Sequence, residues 1–201
     1  MGNFSLGNVG RRDLDGRPTL IMRSSVYLWI QRCLSCGYCA PEIAKGNKED
    51  GIVVQTEAYR EQLCNSSFPE TANAFLCHSI IMQNRKQYAD AAWATKFASW
   101  ICEDTGYVEN AHRCRGDAIA LFLRARENGE EFASTRDQEQ IYLIDLYRRR
   151  SRFDIASQLC DEELEKEHED HLLDIIYFER ELIDKKDAAT HSDSEAEDTI
   201  L

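Results

Sequence analysis

Arg85-Lys86-Gln87-Tyr88-Ala89-Asp90-Ala91-Ala92 is answered 65 residues later by Arg150-Ser151-Arg152-Phe153-Asp154-Ile155-Ala156-Ser157. Each stretch runs from a basic or polar turn to an aromatic residue, with alanine three positions further on. The aromatic anchors an incoming helix on the one just ended, and the alanine lets the two backbones approach closely. Outward from these two turns the chain reads as helices with marked stops. Apolar spacing predicts helices over 70–85, 88–104, 108–127, 137–149, 153–166 and 170–186, with a shorter one over 52–64. Gly106 and Asn128-Gly129 are natural helix ends. Ser134 or Thr135 caps the helix that follows, and Ser67 with Glu70 has the spacing of a capping box.

A spacing of 65 is close to two units of the roughly 34-residue tetratricopeptide (TPR) repeat, a helix–turn–helix unit whose turn carries this signature. The middle copy, around residues 116–120, lacks the turn, and its helix is expected to run through. The expected fold class is mainly α: a TPR-like antiparallel helical array over residues 51–187. Helical hairpin arrays of this kind present a face that holds a peptide or a partner helix.

Ahead of the array, residues 1–50 read as an N-terminal loop and a half zinc-ribbon-like segment. Residues 1–23 are polar and glycine-containing, hence loop. Residues 25–32 are rich in β-branched and aromatic side chains and read as a short strand. That strand runs into Cys33-Leu34-Ser35-Cys36-Gly37-Tyr38. Two cysteines so spaced on one turn supply two of the four ligands zinc takes, and glycine after the second allows the positive φ such a knuckle needs. No second CxxC occurs in the chain. The pair therefore has three readings: metal ligands in half a zinc ribbon, a redox couple, or free thiols. Cys39, Cys64 and the neighbours Cys77 and His78 are further donors, none on a knuckle. The five cysteines from Cys64 onward lie among apolar residues and are expected in the core.

Asp13-Leu14-Asp15-Gly16-Arg17-Pro18, then Met22-Arg23-Ser24-Ser25, Leu28-Trp29-Ile30-Gln31 and Cys33-x-x-Cys36-Gly37-Tyr38-x-Ala40, resembles a family of uncharacterised, mostly bacterial proteins. These are catalogued as a domain of unknown function, with a zinc ribbon followed by TPR-like helices. Ala91-Ala92-Trp93, Leu146-Tyr147-Arg148-Arg149 and Phe153-Asp154-x-Ala156 extend the resemblance over roughly residues 13–187. It implies a fold rather than an activity. Cys33 and Cys36 match the family's second knuckle, and no residue here matches its first, earlier CxxC, which reads as a shortened start or a lost knuckle. Asp13, Asp15 and Arg17 are expected in a structured turn near the knuckle.

Lysine and arginine total 24 against 36 acids, a net charge of −12. The whole imbalance lies in residues 161–201, with sixteen acids and four bases, which disfavours nucleic acid or an anionic membrane as partner. Residues 188–201 are acidic and small and are expected as a disordered tail. The basic run Arg148-Arg149-Arg150-Ser151-Arg152 suits a helix C-terminus. No apolar run reaches the roughly 18 residues of a membrane span, and no signal-peptide core follows Met1, so a cytoplasmic location is expected. Met1-Gly2-Asn3-Phe4-Ser5-Leu6 lacks the Ser or Thr that myristoylation wants at position 6. His168-Glu169-Asp170-His171 places two histidines one helical turn apart on an acidic, solvated face. Phosphate-binding and nucleophile-elbow glycine motifs are missing from the sequence. The expectation is a non-enzymatic scaffold with a protein or peptide partner and a structural zinc at Cys33 and Cys36. The alternative is a thiol-dependent redox or metal-dependent protein using the same pair.

Overall fold

The computed structural model describes residues 12–199. It is mainly helical. A short helix α1 (Leu20–Arg23) and a 3-10 turn (Ser24–Leu28) lead to a two-stranded antiparallel hairpin, β1 (Gln31–Arg32) and β2 (Cys39–Ala40). Gln31 pairs with Ala40 and Arg32 with Cys39. The strand expected over 25–32 is thus confined to its last two residues. Its apolar side chains are used in three dimensions instead: Val26 and Ile30 are buried, and the Trp29 ring packs edge-on against Phe97 and Trp100. The expected early loop at residues 1–11 lies outside the described residues.

The helix expected over 52–64 is two helices, α2 (Lys48–Val53) and α3 (Glu57–Leu63). Each has its own cap: Asn47 and Asp50 form a capping box at α2, and Thr56 accepts from the Tyr59 N–H at α3. The capping box expected of Ser67 and Glu70 does not form. Pro69 occupies the cap position, and Ser67 Oγ donates instead to Asn65. From there the expected helices appear in order: α4 (Glu70–Asn84), α5 (Tyr88–Asp104), α6 (Val108–Glu127), α7 (Arg136–Arg149), α8 (Phe153–Leu164) and α9 (Asp170–Asp184). Helix α6 runs unbroken through Gly116. Successive helices pack on one another, with α4, α5 and α6 making the most extensive contact.

Five of these helices end alike. Lys86, Gly106, Gly129, Ser151 and Lys186 each have φ between 54° and 81°. In each case the next residue's N–H bonds back to a carbonyl five residues earlier, as Gln87 does to Met82 and Arg152 to Tyr147. That is the Schellman closure, which satisfies the last carbonyls and reverses the chain. Ala91 and Ala156, the matched alanines, are both fully buried.

The Asp13–Pro18 motif is indeed a structured turn, but its partners are α5 and α7. Asp15 accepts from the Trp100 indole at 2.6 Å and from Arg149 at 3.4 Å. Arg17, wholly buried, donates to the Trp100 carbonyl and to Glu103. Arg148 and Arg149 of the basic run are spent inside the molecule, while Arg152 stays exposed. Arg148 binds Glu179 at 2.6 Å, Asp145 at 2.8 Å and the carbonyls of Asp187 and Ala189 at 2.9 Å each. The tail expected to be disordered spans 188–201; its residues 188–199, which include the Ala189 carbonyl, form a strap, and 200–201 lie outside the described residues. Leu14 bonds to the His191 carbonyl, Asp13 bridges Ser192, and α10 (Asp193–Thr199) packs on α9 with Ala196 buried beside Leu14, Phe178 and Leu182. The segment's low apolar content is offset by polar anchoring to residues far away in sequence. Among the described residues no helix is long and apolar enough to cross a membrane.

Candidate functional site

The CxxC turn is built as a knuckle. The Cys33 N–H bonds to the Tyr38 carbonyl at 2.8 Å, and the Gly37 N–H returns to the Cys33 carbonyl at 2.9 Å. Gly37 has φ of +83°, the conformation expected of it. A Cβ there would also stand 2.5 Å from the Leu63 side chain, so α3 lies directly against the turn. Tyr59, on α3, donates its hydroxyl proton to the Gly37 carbonyl at 3.0 Å and accepts from the Cys39 N–H at 2.9 Å. One buried tyrosine thus holds both sides of the turn.

The base is fixed from α2 and α4. Tyr38 donates to Asp50 at 3.2 Å, and the Arg85 Nε donates to the other oxygen of the same carboxylate at 3.0 Å. Burial opposes charge on Asp50, yet Arg85 and the Asn47 N–H hold its carboxyl below the usual range. Cys39 is buried beneath the turn, where its thiol donates to the Gly37 carbonyl, and it is paired in the core with Cys77, whose thiol is pushed up by that contact and by burial. His78 is driven down to about 4 by burial. Cys102 and Cys114 form a second buried thiol pair. Cys160 is also core, but Cys64 is exposed, against expectation. It follows the last residue of α3, beyond the packed face of that helix.

Cys33 and Cys36 therefore stand apart from the buried cysteines. Cys36 is exposed and Cys33 partly so. The backbone N–H groups of Cys36 and Ser35 point at the Cys33 sulfur, and with the Cys36 thiol they lower its pKa. Amide donors aimed at a sulfur favour the thiolate, the form that binds metal. Both cysteines line a cleft of about 240 Å³, together with Tyr38, Ile43, Asn47, Asp50 and Val54. The donor set fits half of a zinc tetrahedron. Among the described residues no third His, Cys, Asp or Glu donor atom joins the two sulfurs within 4.8 Å. Leu34, at the tip between the cysteines, is 99% exposed, and Ile52, beside the cleft wall at Gly51, is 70% exposed.

Spacing alone singled out the Cys33 and Cys36 pair. Tyr59, Asp50 and Arg85 were not singled out, because each comes from a helix whose meeting with the turn is set by tertiary packing. Of the other residues singled out, His171 is exposed, whereas His168 has a ring wholly shielded from solvent. The two do not face one ligand, and the solvated reading fails for His168. No family model, curated protein or solved structure matches the chain.

Proposed function

We propose that this chain is a non-enzymatic interaction scaffold, a TPR-like helical array whose knuckle end meets a protein partner. The observation that carries this reading is the knuckle itself. A braced turn presents two accessible thiols and an almost fully exposed leucine together, beside a cleft lined by Ile43, with the exposed Ile52 next in the chain to its lining residue Gly51. Exposed apolar side chains gathered next to polar groups mark contact surfaces. A structural zinc held by Cys33 and Cys36 would take its remaining ligands from a second knuckle, in the partner or elsewhere in the protein. Zinc bound there would supply cross-linking, not reaction chemistry. The sequence reading places the contact on the array, and the exposed side chains favour the knuckle end.

A photo-crosslinking residue at position 34 tests this in cells, with the same residue at Tyr177 as control. The expected result is a discrete adduct from position 34 alone. The purified adduct partner should then bind the full chain, and Leu34→Asp should weaken that binding by about tenfold or more, as loss of a central apolar anchor does. No adduct above the control overturns the reading.

One observation favours the second reading, a redox thiol pair: the lowered Cys33 thiol lies in contact with Cys36. Reversible disulfide formation that alters activity toward a dithiol substrate, with no partner adduct, would establish it. The strand-borne knuckle, in place of a helix start, argues for metal.

A further inference from the structure

We propose that Asp137, Glu163 and His168 bind one divalent transition-metal ion, such as zinc, at a second site that fastens the α8–α9 loop to the start of α7. One oxygen or nitrogen atom from each of the three residues lies within 4.8 Å of the other two. Asp137 stands in the first turn of α7, Glu163 one residue before the end of α8, and His168 in the loop that follows.

The hydrogen bonds decide which atoms are available. His168 Nε2 lies 2.7 Å from the Glu163 carbonyl oxygen, which can only accept, so Nε2 carries the proton. In the neutral ring Nδ1 is then a bare lone pair. It faces Asp137 Oδ2 at 3.3 Å, yet it is buried and has no hydrogen-bond partner. Glu163 is 1% exposed, and its Oε1 is occupied by Lys166 at 2.6 Å and Gln140 at 3.1 Å. Its Oε2 is buried and also has no hydrogen-bond partner. The nearest donor is His168 Nε2, which stands 3.6 Å from Oε2, but its proton is spent on the Glu163 carbonyl, so Oε2, Nδ1 and the facing Asp137 oxygen gather with no donor bonded to Oε2 or Nδ1. Buried acceptors facing one another are costly unless a cation sits among them.

The residue chemistry selects the ion. One imidazole nitrogen with two carboxylates suits zinc and its transition-metal neighbours, whereas calcium and magnesium prefer oxygen alone. Three protein ligands leave a fourth position for water. An imidazole oriented through its far N–H by a backbone carbonyl is the usual second shell of a metal-bound histidine. Asp137, 39% exposed, gives the ion a way in. The competing cations nearby are Lys166, already on Oε1, and Arg126, which is felt at Glu163 but bonded to Glu139. The loop held by this ion would be 165–169, three of whose residues are glutamates.

The test uses the full chain carrying Cys33→Ser and Cys36→Ser, stripped with chelator and titrated with zinc by calorimetry. Saturable one-to-one binding is expected, weakened by about tenfold or more in Asp137→Asn. Asp137 is partly exposed, so that variant should keep the parental circular dichroism. Nitrogen-15 NMR of the histidines supplies a second readout: zinc should shift His168 Nδ1 and leave Nε2 protonated. The proposal is overturned by a lack of saturation below about 1 mM zinc. Undiminished binding in Asp137→Asn, or a spectrum with protons on both His168 nitrogens before and after zinc, overturns it equally. In the last case the cation among the acceptors is a proton.

Discussion

Lys96 shows what a single residue can do in this molecule. Its side chain is fully buried, and its ammonium has no hydrogen-bond partner. It lies 4.1 Å from the Tyr142 ring centre and 4.5 Å from that of Trp93. Burial brings its pKa down to about 8, against the pull of Asp15 and Asp145. Between about 8 and 10.5 the unfolded chain binds a proton at this site that the folded chain does not. Stability therefore rises with pH across that window, and the full deficit applies below it. Lys96→Met keeps the aromatic packing and removes the charge. Asp15 retains Arg149, the Trp100 indole and the Arg17 N–H. The expected result is a gain of about 1–3 kcal/mol at pH 7, bounded by the fall in the Lys96 pKa from 10.5 to about 8 at about 1.4 kcal/mol per unit. The difference from the parent should shrink as pH rises from 8 to 10.5. Urea denaturation at pH 7, 9 and 10 checks this. A less stable variant would mean that the two rings more than compensate the desolvated ammonium.

At the scale of elements, the helix ends carry the architecture. Three of the five left-handed closures use a residue other than glycine: Lys86, Ser151 and Lys186, all exposed. A side chain in that conformation costs about 1 kcal/mol that glycine does not. Lys86→Gly and Ser151→Gly are each expected to raise the unfolding free energy by about 0.5–1 kcal/mol, nearly additively in the double variant, since the turns are distant and share no partners. Denaturation midpoints at unchanged m-value test this, and a loss at either position would show that its side chain is used. These ends also explain which elements could be read in advance. The matched turns, Gly106, Gly129 and the Thr135 cap are local signals, so α4 to α9 fall where periodicity and punctuation place them. The stretch around Val26 and Trp29 misled because β-branched and aromatic residues serve a strand or a packed 3-10 turn equally well. His168 was read as solvated because its neighbours in sequence are charged, while the groups that enclose it, Asp137 and the Glu163 carbonyl, come from other elements.

The molecule as a whole is closed by its acidic end. Composition alone makes residues 188–201 look dispensable, since they hold little to bury. What the composition does not reveal is Arg148, wholly buried, with two of its donors' acceptors on the backbone of Asp187 and Ala189. Arg149 likewise reaches Thr190 at 2.7 Å while bonded to Asp15 and Glu103. The strap then runs beside the Asp13–Pro18 turn, so both ends of the described chain lie over the same buried charges on α5 and α7. Deleting residues 188–201 removes the Ala189 carbonyl and the Thr190 hydroxyl and opens Leu14 and Phe178 to water. A buried charge network that loses partners costs about 3–5 kcal/mol. For a chain of this length that is a fall in Tm of roughly 6–20 °C. The measurement is thermal unfolding of the full chain against the deletion, with Trp fluorescence reporting on Trp100 beside Asp15. Arg148→Met in both backgrounds then isolates the cause. Once the guanidinium is gone, deletion should cost markedly less than in the parent. An equal cost in both would place the strap's contribution in its apolar contacts with Leu14, Phe178 and Leu182, and a deletion without effect would mean that the strap contributes nothing to stability.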